Sequence, residues 1–336
     1  MITAIGQSTQ PEPLPDWRQS LRDAVTDPRE LLALVGLPQL AEKLPAVDAG
    51  FALKVPHGFV KRMRRGDPHD PLLLQVLPQR AELDDTPGFT DDAVGDLDAV
   101  QAHGVLHKYE GRVLLIAAGS CAINCRYCFR RHFPYAEELA AAHAWHEAID
   151  CLSKDTSIRE VVLSGGDPLV LSTQKLTDLT DALCSVPHVI RLRIHSRLPI
   201  VLPERIDETF CAWVSALPLQ RVVVLHANHP NEIGASVEAA CERLREAGAT
   251  LLNQSVLLRG VNDDVDALSE LSERLFACGV LPYYLHQLDR VQGAAHFEVD
   301  DARALTLVEA VRQQLPGYLV PKLVREVGGD ASKRPL

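Results

Sequence analysis

The residues best suited to chemistry are three closely spaced cysteines, Cys121, Cys125 and Cys128, in the string CAINCRYCFRR. Their C-x3-C-x2-C spacing lets one loop wrap three thiolates around a corner of a cubic iron–sulfur cluster, leaving the fourth iron without a protein ligand. A structural zinc ion would need a fourth ligand, and the nearest candidate is His132. The spacing therefore favours an iron–sulfur cluster, with a zinc site and coincidental core cysteines as the alternatives.

A second group of candidate residues follows apolar runs farther along the chain. Ser164, Gly165, Gly166 and Asp167 end one run, and glycines there permit close approach of a backbone, although a glycine pair alone is typical of a turn. Polar residues also end later runs, in the ranges 195–197, 226–229 and 286–289 and at Gln254. Barrels of parallel strands carry their active sites at the carboxyl ends of the strands, so these residues predict a site there.

The elements that must position these residues alternate along the chain. Six short apolar runs are separated by helical stretches whose apolar residues recur every three or four positions. The runs are 112–120, 160–166, 189–197, 221–228, 250–258 and 281–289. Near-continuous apolar runs such as VVVL indicate parallel strands buried on both faces, with helices as the crossovers. The sequence therefore predicts an α/β domain, either a doubly wound sheet or a complete or partial (β/α) barrel.

The two ends of the chain differ from this central part. Proline is frequent before residue 100 and helical patterns there are short, so we expect an N-terminal helical and extended region over 1–100. The α/β domain is then expected over 101–315 and a C-terminal tail over 316–336. The five remaining cysteines fall mostly in predicted helices and are expected to be small buried hydrophobic residues: Cys151, Cys184, Cys211, Cys241 and Cys278.

The charge of the chain limits the kinds of molecule that it is expected to bind. The 336 residues carry a net charge of −11, which argues against binding of nucleic acid or anionic membranes, because both require an excess of lysine and arginine. No basic segment precedes an apolar run of signal-peptide length, and no 18 apolar residues are consecutive. We therefore expect a cytoplasmic protein, where thiols stay reduced and clustered cysteines are more often metal ligands or catalytic groups.

The cysteine string, with Tyr127 directly before its last cysteine, resembles the radical S-adenosylmethionine enzymes. The resemblance implies that the amino and carboxylate groups of S-adenosylmethionine chelate the open iron of a [4Fe-4S] cluster. An electron from the cluster then cleaves this cofactor to a 5′-deoxyadenosyl radical. The resemblance further implies that the segment from Ser164 to Asp167, similar to the G-G-E/D element of these enzymes, contacts the methionine amino group.

From about residue 50 to 320 the sequence resembles the lysine 2,3-aminomutase family. The strings that carry the resemblance are KYEGRVLLIAAGSCAINCRYCFRRHF, LSGGDPL, HSRLPIVLPERI, NHPNE, NQSVLLRGVNDD and YYLHQLDRVQGAAHF. It implies a partial (β/α)6 TIM-like barrel with an N-terminal helical extension and a short C-terminal tail. It also implies a pyridoxal 5′-phosphate-dependent shift of an amino group. The similarity is greatest to the shorter bacterial members, which convert (S)-α-lysine to (R)-β-lysine for the modification of elongation factor P.

The same resemblance assigns roles to individual residues. Lys333, which follows a glycine pair, matches the lysine that holds pyridoxal phosphate, and Lys322 is the competing candidate. Arg130 matches the arginine that pairs with the substrate carboxylate, and Asp289 matches the aspartate that takes the distal ammonium. The other implied cofactor contacts are His226 and Gln254 for S-adenosylmethionine, and Tyr109 and Arg112 for pyridoxal phosphate.

One departure and several alternatives accompany these assignments. Pro321 stands where longer family members have a second aspartate, so one acidic contact to the substrate ammonium is expected to be missing. Glutamate and arginine are alternative substrates, and Asp289 disfavours glutamate because it would repel a distal carboxylate. A non-catalytic iron–sulfur or zinc protein is the alternative outside the enzymes. The implied partners are a reductant such as flavodoxin or ferredoxin and, through released β-lysine, elongation factor P and its lysyl ligase.

Overall fold

A computed structural model describes residues 16–45, 51–137 and 145–336. Within these residues ten strands form one sheet, and each strand pairs with its neighbours in chain order. The strands are β1 (Val100–Ala102), β2 (Val105–Tyr109), β3 (Arg112–Ala118), β4 (Glu160–Gly165), β5 (Arg191–Ser196), β6 (Gln220–Leu225), β7 (Thr250–Val256), β8 (Leu281–His286), β9 (Lys322–Arg325) and β10 (Arg334–Pro335). Strands β3 to β9 run parallel, whereas β1 and β2 at one edge and β10 at the other pair antiparallel. The described strands do not close on themselves, so the expected partial barrel is confirmed.

In the described residues, four α-helices precede the sheet and seven lie between its parallel strands. They are α1 (Trp17–Arg22), α2 (Pro28–Leu34), α3 (His57–Val60), α4 (Pro71–Leu74), α5 (His146–Lys154), α6 (Thr173–Cys184), α7 (Leu198–Val201), α8 (Glu208–Ala216), α9 (Ala235–Glu246), α10 (Val265–Ala277) and α11 (Asp301–Gln314). Short polar side chains begin many of them: Asp207, Asp264 and Asp300 each accept a hydrogen bond from a backbone N–H in the first turn of α8, α10 and α11. Such caps stabilise a helix by about 1 kcal/mol each.

All six predicted strands are present, with ends that differ from the predicted ones by up to three residues. The sequence analysis did not identify β9, a seventh parallel strand, because its four residues KLVR are too short to show a pattern. This strand pairs with β8, so the C-terminal tail contributes directly to the sheet. The carboxyl ends of β3 to β9 therefore lie along one edge, where the candidate residues collect.

The N-terminal segment packs into the same hydrophobic core as the sheet. Trp17, Leu31 and Phe59 belong to one buried cluster with residues of the central strands. The buried guanidinium of Arg205 lies between the rings of Trp17 and Phe210, 4.6 and 4.5 Å from their centroids, and so joins α1 to α8. Residues 1–15 and 46–50 of the predicted N-terminal region lie outside the described residues.

The scattered cysteines follow the prediction only in part. Cys241 and Cys278 are buried, and Cys151 and Cys211 are half-buried. For Cys184 the expected burial is wrong, because it is the last residue of α6 and lies on the exposed side of that helix. No helix in the described part of the chain combines the length and hydrophobicity needed to cross a membrane.

Candidate active site

The three-cysteine loop directly follows β3 and rests on the N-terminal segment. The backbone N–H of Asn124 donates to the carbonyl of Lys54 at 3.0 Å, and its side-chain amide donates to the carbonyl of Ala52 at 2.8 Å. The backbone N–H of Arg126 donates to the carbonyl of Gln75 at 2.9 Å. The residues that precede the barrel therefore fix the conformation of the loop that carries the thiols.

The buried carboxylate of Glu82 binds two arginines of the cysteine loop. Arg126 donates to both oxygens of Glu82, at 2.9 and 3.1 Å, and Arg131 donates to Glu82 Oε2 at 2.9 Å. Burial alone would raise the pKa of Glu82, but the hydrogen bonds and charges of these arginines hold it below its ordinary value. Removal of Glu82 or of either arginine would leave a buried charge without a partner. These ion pairs therefore hold the loop in one conformation.

The thiols themselves are deeply placed and electrostatically coupled. Burial and the neighbouring Cys128 raise the pKa of Cys121 well above its ordinary value, and burial and Cys125 raise that of Cys128 to about 11. Three thiolates this close together would repel one another, so they require a positively charged group between them. An iron–sulfur cluster with thiolate ligands meets this requirement, so the donor set fits such a cluster.

The zinc alternative receives no support from the surroundings of His132. Its Nε2 lies 3.2 Å from the carbonyl oxygen of Gln292 and 3.7 Å from a carboxylate oxygen of Asp91. Among the described residues, no three His, Cys, Asp or Glu side chains gather closely enough to hold a single metal ion. The residue proposed as the fourth zinc ligand is therefore engaged by other groups.

The glycine pair after β4 allows the chain to approach this loop closely. Gly165 has a φ of +112°, and a Cβ there would lie 2.5 Å from the carbonyl oxygen of Ala118. A Cβ on Gly166 would collide with the carbonyl of Ser120, the residue before the first cysteine. The N–H of Gly166 donates to the Ala118 carbonyl at 2.7 Å. The two glycines thus join β4 to the start of the cysteine loop.

Asp167 connects the same turn to the next strand. Its carboxylate accepts from the backbone N–H of Leu169, the Ser196 hydroxyl, and the backbone N–H groups of Arg197 and Leu198, at 2.7 to 3.1 Å. Burial raises the pKa of Asp167 to about 6 in spite of these hydrogen bonds. The structure therefore places Asp167 behind the site as a link between loops, whereas Ser164 faces the cavity.

A cavity of about 490 Å³ opens at the carboxyl edge of the sheet beside the cysteine loop. It brings together eight residues singled out from the sequence: Tyr109, Arg112, Arg130, Ser164, His226, Gln254, Asp289 and Lys333. The competing candidate Lys322 also borders it, but that residue is exposed. Lys333, in contrast, is largely buried, and its ammonium pairs with Glu326.

A chain of alternating charges lines one wall of this cavity. Arg130 Nε donates to Asp96 at 2.6 Å, and Lys108 Nζ lies 2.5 Å from Asp96 and 3.3 Å from Glu326. Glu326 in turn pairs with Lys333. Arg130 also donates to the Ser164 hydroxyl at 3.0 Å, so two partners fix its guanidinium. Asp96, Lys108 and Glu326 lie in no motif that the sequence alone reveals as part of a site.

Two carboxylates stand at the end of the cavity occupied by Lys333. Asp289 Oδ1 is buried without a hydrogen-bond partner, and burial together with Glu326 raises its pKa to about 7. Burial would also raise the pKa of Glu326, but Lys333 and Lys108 lower it to about 2. Glu326 is therefore a second acid at this end of the cavity, although Pro321 occupies the position where longer family members have their second aspartate.

Uncharged imidazoles also line the cavity. Burial, followed by the charges of Arg197 and Lys333, lowers the pKa of His226 to about 3, and its ring nitrogen lies 3.0 Å from the Gln254 amide. Burial also lowers the pKa values of His195 and His286 well below normal, and their Nε2 atoms are buried without partners. These nitrogens are available to hydrogen-bond a molecule in the cavity.

Tyr109 and Arg112 complete the entrance. The guanidinium of Arg112 lies 4.6 Å from the centroid of the Tyr109 ring. Burial and the neighbouring Glu326 carboxylate raise the pKa of Tyr109. A buried lysine amine, an arginine and an aromatic ring around one cavity fit an aldehyde cofactor that carries a phosphate.

The fold and the site define a partial α/β barrel that carries a three-cysteine iron–sulfur loop at the carboxyl edge of its strands. Comparison with known proteins agrees: residues 109–186 match the 4Fe-4S single cluster domain family. The chain is 48% identical over 324 residues to the L-lysine 2,3-aminomutase of Escherichia coli (strain K12), covering 96% of this chain and 94% of that protein. It belongs to the lysine 2,3-aminomutase family.

A second relative and one solved structure are also similar to this chain. The L-lysine 2,3-aminomutase of Haemophilus influenzae is 45% identical over 319 residues, which cover 95% of this chain and 94% of that protein. A radical SAM methyltransferase from Sphaerobacter thermophilus, of known crystal structure, has a TM-score of 0.45 at 16% identity, covering 66% of this chain and 68% of that chain. The lysine 2,3-aminomutase family consists of isomerases that use a [4Fe-4S] cluster, S-adenosylmethionine and pyridoxal phosphate.

Proposed function

We propose that this protein is an L-lysine 2,3-aminomutase that converts (S)-α-lysine to (R)-β-lysine. The observation that carries the proposal is the position of Lys333, whose alkylammonium group pairs with Glu326 in the cavity that Asp289 also lines. That end of the cavity therefore accommodates the same chemical group as the side-chain terminus of lysine. Arg130, in the same cavity, supplies a cation for a carboxylate.

The two charged subsites favour lysine over the alternative amino acids. A distal carboxylate, as in glutamate, would meet Asp289 and Glu326 and be repelled. The guanidinium of arginine is larger than the ammonium group that Glu326 binds in this structure. Arg130 is held by Asp96 and Ser164, so its orientation is set before the substrate arrives.

Three cofactors are assigned to the chain's own residues. Cys121, Cys125 and Cys128 would hold the cluster, and Lys333 would hold pyridoxal phosphate. Together with S-adenosylmethionine, these groups supply a carbon-centred radical and a carrier for the migrating amine. The residues proposed to contact the last two cofactors are Tyr109, Arg112, Ser164, Gly165, Gly166, Asp167, His226 and Gln254.

The position of the Ser164–Asp167 turn supports its place in this assignment. Ser164 lies on the cavity wall, and the glycines that follow contact the residue before Cys121. The turn thus lies between the iron–sulfur loop and the cavity, where a molecule that contacts both must bind. Asp167 would act there by holding the turn, because four donors already occupy its carboxylate.

The product and the electron supply define the proposed partners. The cluster would receive its electron from a carrier such as flavodoxin or ferredoxin. Released β-lysine would be attached to elongation factor P by its lysyl ligase. We place this reaction in the cytoplasm, where a reducing environment keeps the cluster thiols free.

The test is turnover of candidate amino acids by the anaerobically reconstituted protein. Lysine, glutamate and arginine are each incubated with S-adenosylmethionine, pyridoxal phosphate and dithionite, and the α and β isomers are separated. We expect β-lysine alone, and turnover of glutamate but not lysine would refute the proposal. A Cys125→Ala variant is the control for cluster-dependent turnover. In cells that lack this protein, elongation factor P should lack the additional mass of the attached β-lysine.

A further inference from the structure

Arg197 is a buried cation that the proposed mechanism does not use. It directly follows β5, and only 5% of the residue is exposed. One guanidinium nitrogen donates to Cys125 Sγ at 2.6 Å and to the Tyr127 hydroxyl at 2.7 Å. The other donates to Gln75 Oε1 at 2.7 Å and lies 3.1 Å from Glu232 Oε2. Arg197 therefore reaches the cysteine loop from the end of β5, two strands away from β3 in the sheet.

The surroundings hold this guanidinium in one position. Gln75 and Glu232 are hydrogen-bonded to each other at 3.1 Å, and the Asn228 amide donates to both Gln75 Oε1 and the Tyr127 hydroxyl, at 2.9 and 2.6 Å. These groups are almost completely shielded from solvent. A fixed buried charge acts on its neighbours with little screening.

Arg197 differs from the buried arginines of the cysteine loop because it donates a hydrogen bond to a thiol. Arg126 and Arg131 donate to Glu82 and to backbone carbonyls, which are strong acceptors. A neutral thiol is a weak acceptor, whereas a thiolate bound to iron carries negative charge and accepts well. The contact of Arg197 with Cys125 is therefore favourable chiefly when the cysteine is a cluster ligand.

We propose that Arg197 is a positioning residue that raises the reduction potential of the iron–sulfur cluster. This inference rests on the cluster of the proposed function. When an external one-electron donor reduces the cluster, no protein bond forms or breaks and the cluster gains one negative charge. A hydrogen bond to a ligand sulfur and a fixed positive charge both stabilise that reduced state. Arg197 thus makes the electron transfer that precedes catalysis more favourable.

The test is a redox titration of the reconstituted protein, followed by electron paramagnetic resonance, without S-adenosylmethionine or amino acid. The Arg197→Gln variant should lower the equilibrium constant for reduction at least tenfold, which is a shift of about 59 mV to more negative potential for one electron. Arg197→Lys keeps the positive charge but lacks the planar guanidinium with its several donors, so the shift in reduction potential should be smaller than for Arg197→Gln. Arg205→Gln is the matched control, because Arg205 is a buried arginine that donates to the carbonyls of Leu169 and Leu171 and not to a cluster cysteine, and it should retain the wild-type potential.

A second variant covers failure of the first to assemble a cluster. Glu232→Gln keeps Arg197 but removes a nearby negative charge, so the potential should move in the positive direction. If Arg197→Gln assembles a cluster with the wild-type potential, or if Glu232→Gln leaves the potential unchanged, the inference is overturned. If the wild-type protein itself assembles no cluster, the proposed function fails, which is a separate result.

Discussion

Replacing Asp289 by asparagine is expected to stabilise the folded protein at neutral and alkaline pH. Asp289 Oδ1 is buried without a partner, and its pKa rises from the ordinary 3.8 to about 7. Ionising this acid therefore costs up to about 4 kcal/mol more in the folded protein than in the unfolded chain. The cost is absent below pH 3.8 and grows as the pH rises towards 7, because the unfolded chain then releases a proton that the folded protein retains.

The measurement is urea-induced unfolding of the wild-type and Asp289→Asn proteins near pH 5 and near pH 8. The gain of the variant in free energy of unfolding should be about 2 to 3 kcal/mol larger at the higher pH. Asp266→Asn is the matched control, because Asp266 is an exposed acid on α10 and its replacement should change stability little at either pH. An equal gain for Asp289→Asn at both pH values would refute the reasoning.

The same substitution should impair catalysis while it improves stability. Loss of a charged hydrogen bond to the substrate ammonium costs about 1.5 to 3 kcal/mol, which corresponds to roughly a 10- to 150-fold fall in kcat/KM for lysine. Steady-state β-lysine formation measures this effect. Natural sites retain such unfavourable groups when function requires them, so the opposite signs are the expected signature of a substrate contact. Unchanged kcat/KM would remove Asp289 from the ammonium subsite.

Three further outcomes are expected. Lys333→Ala should abolish the visible absorbance of bound pyridoxal phosphate, whereas Lys322→Ala should retain it; the reverse result would exchange their roles. Glu82→Gln should reduce the free energy of unfolding by about 3 to 5 kcal/mol, measured with denaturant, because it strands two buried arginines. Gly166→Ala should lower the iron content after reconstitution, because its Cβ would meet the Ser120 carbonyl, and full iron loading would contradict this account.

The parts of the fold that the sequence predicted are those with a repeated pattern. The six strands from β3 to β8 alternate with helices, and buried parallel strands produce continuous apolar runs that are visible without any tertiary information. Strand β9 was missed because its position depends on pairing with β8, which lies more than thirty residues earlier. Short strands of this kind owe their conformation to their neighbours rather than to local preference.

The candidate site was predictable where residues lie within recognisable strings. The cysteines, Arg130 and Asp289 lie in such strings. All the residues predicted to bind pyridoxal phosphate, S-adenosylmethionine or substrate line the cavity except Asp167, which is buried, and Gly165 and Gly166. Asp96 precedes β1 in an acidic stretch, and nothing local separates it from the acids around it. Glu326 lies in the C-terminal tail, where no local pattern marks it. Only the three-dimensional structure shows that it pairs with Lys333.

The alternating chain from Arg130 to Lys333 suits the proposed recognition of a substrate with charges at both ends. Buried ion pairs contribute little net stability compared with apolar residues of similar volume, so stability alone does not account for five charged groups on one wall. Their alternation holds each cation between acids and keeps the carboxylate subsite and the ammonium subsite in fixed relation. Lys108 is the central element, because it contacts both Asp96 and Glu326. Its removal would leave Asp96 paired only with Arg130 and Glu326 paired only with Lys333, and would break the link between the two ends of the chain.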